Sequence, residues 1–95
     1  MSKDRFTIIS TSAFERAARK LAGKVPHMDE WLSEAGLIPE SDPFNLSKQH
    51  QIKKLHGVDA GDGQWRLRLG VYRLRYDVHE KTVVLRAIAH RRDIY

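Results

Sequence analysis

In the segment "QWRLRLGVYRLRYDVHEKTVVLRAIAH", residues 64–90, large apolar residues alternate with charged ones at a spacing of two. That is the period of an extended strand with one buried face. Three strands are predicted, over about 64–69, 72–78 and 82–89. Gly70-Val71 suits a two-residue hairpin with glycine first, and "HEKT" turns the chain again. Near the start the period changes. "RFTII", residues 5–9, is a short β-prone run, and "STSAFERAARKLAG" reads as a helix with Ala13, Phe14, Ala17, Ala18 and Leu21 on one side. Ser12 and Glu15 have the spacing of a capping box, and Gly23 and Pro26 mark the helix end.

A weaker helix is predicted over about 28–35, with Met28, Trp31, Leu32 and Ala35 inward. Gly36, Pro39 and Pro43 then predict a loop over 36–47, packed through Ile38, Phe44 and Leu46. Residues 48–55 read as a helical turn, and "HGVDAGDGQ" as a loop.

The strand pattern sorts the side chains. Trp65, Leu67, Leu69, Tyr72, Leu74, Tyr76 and Val78 belong to one face; Arg66, Arg68, Arg73, Arg75 and Asp77 belong to the other. A sheet must bury one face, and the two helices are the available cover for the aromatic side. Trp65, Tyr72 and Tyr76 are therefore read as core. The expected fold is α+β, in one domain of 95 residues. An N-terminal strand and two helices pack on one face of an antiparallel sheet, which a three-stranded C-terminal meander completes.

Charge sharpens this picture. Residues 1–64 carry nine Lys/Arg and nine Asp/Glu; residues 65–95 carry eight against three, so the net +5 sits in the last third. Seven of those eight cations are arginine, whose forked guanidinium suits phosphate and carboxylate. Like charges on neighbouring strands repel, which marks the face as a candidate anion site unless Asp77, Glu80 or loop acids neutralise it. The chain has no cysteine, so disulfides and thiolate metal sites are excluded. No apolar run approaches the ~18 residues of a membrane span, and the N-terminus lacks the character of a secretory signal. The expectation is a cytoplasmic protein with no membrane role. His27, His50, His56 and His79 show no metal-ligand spacing and are read as surface residues.

Three motifs together resemble the RelE/ParE superfamily of type II toxins: "KLHG" at 54–57, "WRLRLGVYRLRYDV" at 65–78 and "HRRDIY" at 90–95. The likeness is close over 54–95 and loose elsewhere. Residues 24–53 depart from it, because the family tends to have a longer helical hairpin there. The RelE branch of the superfamily implies a ribosome-dependent endoribonuclease that cuts mRNA and is held inactive by an antitoxin, acidic or DNA-binding. Its chemistry uses the RNA 2′-hydroxyl as nucleophile and needs no metal or other cofactor.

Carried over residue by residue, the resemblance makes Arg66, Arg68, Arg73, His90, Arg91 and Tyr95 the catalytic candidates. Arg66, Arg68, Arg73, Arg75, Arg86 and Arg92 are the RNA-binding candidates. Arginines hold developing phosphate charge without titrating, and His90 is the group in this set able to exchange a proton near neutral pH. On strict alternation His90 shares the face of Val84, Arg86 and Ile88, while Arg91 shares that of Leu85, Ala87 and Ala89. Both reach one site only if the strand ends or bulges at about 89–90. Two other functions fit the same residues: a ParE-like inhibitor of DNA gyrase, and an RNA- or ribosome-binding module without catalysis.

Overall fold

The structure is a computed structural model and describes residues 5–93. Five strands form one sheet: β1 (Thr7–Ser10), β2 (Ile52–Lys54), β3 (Trp65–Leu69), β4 (Tyr72–His79) and β5 (Thr82–His90). Their order is β1-β5-β4-β3-β2. The antiparallel meander is as the sequence predicts, but two strands complete it. β1 pairs with β5 in parallel, so the sheet is mixed. β2 pairs antiparallel with β3, where the sequence suggests a helical turn. A three-residue strand has too few positions to show a period, and its pairing partner lies more than ten residues away. The two edge strands are the shortest, and the β2 edge carries Lys53 and Lys54, which discourages further pairing.

Both hairpins turn in two residues. Gly70 has φ +67°, as a glycine-first turn requires. The second turn places Glu80 at φ +56°, between the paired His79 and Thr82.

Helix α1 spans Ser12–Ala22. Its N-cap is Thr11, not Ser12: the Thr11 hydroxyl accepts from the Phe14 N–H at 3.0 Å, while Glu15 accepts from the Ser10 hydroxyl at 2.7 Å. Helix α2 spans Met28–Ser41 and runs through Gly36 and Pro39. Proline inside a helix removes a hydrogen bond and crowds the carbonyl four residues back. Here that residue is Ala35, and both Ala35 and Pro39 are buried. Tertiary burial outweighs the local penalty, so the second helix runs to Ser41, well past the predicted 28–35. Among the described residues no helix is long and apolar enough to cross a membrane.

The core joins Phe14, Met28 and Ala35 of the helices to Leu67, Leu74, Tyr76, Val83, Leu85 and Ile88 of the sheet. Full burial of each large apolar side chain contributes about 1.5–3 kcal/mol. The helices cover only part of this face. The rest is closed by the segment after α2: Phe44 meets Trp65 edge-on at 5.2 Å, and the Tyr76 hydroxyl donates to the Pro43 carbonyl at 2.5 Å. Burial pushes the Tyr76 phenol well above its ordinary value, with the Asp42 charge adding to it. Leu46, expected to pack, is 81% exposed. Asp42 holds the segment instead, accepting from the Leu46 N–H at 2.8 Å and the Ser47 hydroxyl at 2.6 Å.

Candidate functional site

The face away from the helices carries the arginines. Residues directly opposed across a sheet share a face, and the register makes two rows. One runs Lys53, Arg66, Arg75, Ala87; the other runs Arg68, Arg73, Ala89. All four predicted arginines therefore stand together, with Trp65 and Tyr76 on the other side. Each row ends on alanine, so β5 gives the arginines a low floor rather than a wall. Lys53 joins them because β2 is a strand; sequence reasoning missed it for the same reason it missed β2.

Loop residues 57–64 fold back over part of this face. Asp77 anchors them. Its carboxylate accepts from the N–H groups of Gly61, Gly63 and Gln64 at 3.0, 3.1 and 2.9 Å, and from Arg86 Nε at 2.8 Å. Burial pushes the Asp77 carboxyl up. The N–H of Gln64, the Arg86 guanidinium and the N–H of Gly63 outweigh it and hold the group below its ordinary value. The loop in turn fixes Arg75, whose Nε donates to the Gly63 carbonyl at 3.0 Å and whose terminal nitrogen donates to the Asp62 carbonyl at 2.8 Å. Gly63 has φ +83°, and a Cβ there would come within 3.0 Å of Arg75 Cβ. Glycine lets the loop lie this close to the strand.

The arginines are thus not equivalent. Arg86 shares the face but is committed to a buried carboxylate, that of Asp77. Arg66 has a buried Nε with no hydrogen-bond partner among the described residues. Arg68 is exposed, and Arg73 is half-buried beside it.

His90 is not on this face. The register slips between Arg75 and Tyr76 of β4, which face Ala87 and Leu85 and leave Arg86 as the extra residue of a bulge. The bulge reverses the alternation: Val83 and Leu85 point to the core before it, Ile88 after it. His90 follows Ile88. Its ring meets Tyr72 edge-on at 5.5 Å, and Tyr72 meets Trp31 at 5.4 Å. His90 Nδ1 accepts the Arg92 N–H at 3.1 Å, which leaves the proton of the neutral ring on Nε2. The strand ends at His90, the first of the two alternatives, and a 3-10 turn covers Arg91–Asp93, yet His90 stays on the Tyr72 side. The Arg91 N–H donates to the Val71 carbonyl at 2.7 Å, fixing that exposed arginine at the hairpin end of the sheet. Arg92 is exposed in the same turn. Tyr95 lies outside the described residues. Among the described residues no three His, Cys, Asp or Glu side chains gather so as to hold a metal ion.

A family model described as the ParE toxin of the type II toxin–antitoxin system parDE matches residues 8–95. No curated protein matches the chain. Among solved structures, a chain of the RelB–RelE antitoxin–toxin complex from Methanococcus jannaschii is 25% identical with a TM-score of 0.65, over 92% of this chain and 94% of that one. The fold recurs in the RelBE complex from Mycobacterium tuberculosis, at 23% identity and TM-score 0.68, over 90% of this chain and 98% of the other. It recurs again in the archaeal RelE–RelB complex from Pyrococcus horikoshii, at 23% identity and TM-score 0.64, over 99% and 100% of the two chains. The family match spans almost the whole sequence, and this chain belongs to the ParE toxin family, within the RelE/ParE superfamily of type II toxin–antitoxin systems.

Proposed function

We propose that this toxin is a ribosome-dependent endoribonuclease that cuts mRNA in the cytoplasm and so inhibits translation. The observation that carries the reading is the pair of arginine rows on a sheet face that, among the described residues, no helix covers. Clustered arginines bind the phosphates of a nucleic-acid backbone in a salt-dependent way. In the proposed reaction the 2′-oxygen attacks the adjacent phosphorus and the bond to the 5′-oxygen breaks. A 2′,3′-cyclic phosphate and a 5′-hydroxyl result, with one proton leaving the 2′-hydroxyl and one reaching the 5′-oxygen. Arg66, Arg68 and Arg73 hold the phosphate and meet the charge that builds on it, and Arg91 extends the cation set at the hairpin end. His90 stands across the sheet from this cluster, and the family resemblance offers Tyr95, outside the described residues, for base stacking or proton transfer.

The solved relatives are antitoxin–toxin complexes. By extension, a cognate antitoxin lays an acidic segment over the arginine face. Its association slows as salt is added.

The matching family model is named for ParE, and this favours a second reading, inhibition of DNA gyrase on the same fold. Purified toxin added to ribosomes carrying a defined mRNA tests the first reading, and a gyrase supercoiling assay tests the second. Cleavage in the first assay with unimpaired supercoiling in the second supports the endoribonuclease. Intact mRNA with loss of supercoiling removes it. Ribosome binding with neither effect leaves a binding module.

A further inference from the structure

Beside the arginine rows lies a cavity of about 330 Å³ lined by Leu55, His56, Val58, Arg66 and Arg75. It is small for a ligand site but within the usual range. Its walls are built rather than incidental. The Leu55 N–H donates to the Gln64 carbonyl at 2.7 Å, and the Gln64 side-chain amide donates to the Val58 carbonyl at 2.9 Å. Gly57, at φ +73°, turns the chain between His56 and Val58. Arg75 is fixed by the carbonyls of Asp62 and Gly63. The buried Arg66 Nε lacks a protein acceptor among the described residues. Arg66 and Arg75 give the cavity a cationic side suited to a phosphate.

We infer that this cavity is a nucleotide subsite, which takes one nucleobase of the RNA with its phosphate on the arginine side. The chemistry of the lining selects that ligand. Leu55 and Val58 offer an apolar surface to a flat ring. The imidazole of His56 and a guanidinium can stack on that ring or bond its edge, which is how single-stranded RNA is read. An acidic side chain from a protein would use the arginines and leave Leu55 and Val58 idle. The inference rests on the endoribonuclease reading for the identity of the polymer, but not for the binding itself.

The test is an NMR titration of the intact toxin with AMP, GMP, CMP and UMP, alongside inorganic phosphate and a short polyglutamate peptide. Saturable shifts of the Leu55 and Val58 methyls and the His56 ring are expected with nucleotides. Affinity should fall at least tenfold in His56→Ala, an exposed site whose change leaves the fold intact, and in Val58→Glu, checked by its melting temperature. Lys24→Ala, on the helix side, should bind as wild type. Equal shifts with inorganic phosphate alone reduce the cavity to an anion site and overturn the proposal. Equal shifts with polyglutamate overturn it in favour of a protein partner. If the toxin cuts mRNA while no nucleotide shifts these residues, the subsite fails and the function stands. If nucleotides bind here and no mRNA is cut, the function fails and the subsite stands.

Discussion

Arg86 Nε lies 2.8 Å from Asp77 Oδ2, and that carboxylate, with only 8% of its side chain exposed, also holds three N–H groups of the loop at 61–64. One buried charge thus ties β5 to the loop that fixes Arg75. Arg86 is 31% exposed, so solvent weakens its share of the pair. Most of the cost of losing Asp77 comes from N–H groups left without an acceptor. Asp77→Ala should lower stability by about 3 kcal/mol, read from urea unfolding. Asp59→Ala, at an exposed loop position, should stay within about 0.5 kcal/mol of wild type.

The same group sets a pH dependence. Its folded value lies below the ordinary one. Its stabilising contribution is therefore complete above the unfolded carboxyl value, near 4, and is lost as pH falls through the lower folded value. Asp42 is also held low: burial raises it, but the Ser47 hydroxyl and the Leu46 and Ser47 N–H groups outweigh that. Asp77→Asn should flatten the acid loss of stability in part, with Asp42 supplying the remainder. An unchanged acid slope in Asp77→Asn would contradict the assignment.

Tyr76→Phe keeps the ring and removes the donor to Pro43. The buried carbonyl then lacks its partner, at a cost of about 1–3 kcal/mol. Because the bond joins β4 to the segment after α2, hydrogen exchange should rise first in residues 42–50. Uniform loosening of the whole sheet instead would mean that the bond is not local in its effect.

The two-residue period of β3 and β4 was legible because one face is apolar and the other arginine, so a single register satisfies both. What escaped has physical causes. Gly36 and Pro39 read as breakers, yet the burial of Ala35 and Pro39 carries α2 through them. β2 is three residues long and takes its identity from β3. The bulge at Arg86 has no marker in composition, and it decides which way His90 points. Asp77 alternates with arginines and so read as one more charge on their face, a candidate to neutralise them. Its role depends on a loop returning from 13 to 16 residues earlier, which no local window contains.

His90→Ala provides a check on that bulge. Its ring packs on Tyr72, across the sheet from the arginines. Stability should fall by about 0.5–1.5 kcal/mol, the worth of an aromatic pair. The cleavage rate should fall less than tenfold, and both limbs of the pH–rate profile should survive. Loss of one limb would return His90 to the reacting groups.

The central claim is that the arginine rows hold the phosphate being cleaved. It is tested most directly by single-turnover cleavage on programmed ribosomes with Arg73→Ala and Lys81→Ala. Lys81 lies in the β4–β5 turn with its ammonium 4.6 Å from the centre of the Phe6 ring, away from the arginines. Arg73→Ala should lose about 10²–10³ in rate, as for one electrostatic donor to a transition state, with ribosome affinity less affected and Lys81→Ala near wild type. Wild-type rates in Arg73→Ala, or an equal loss in both variants, would contradict it.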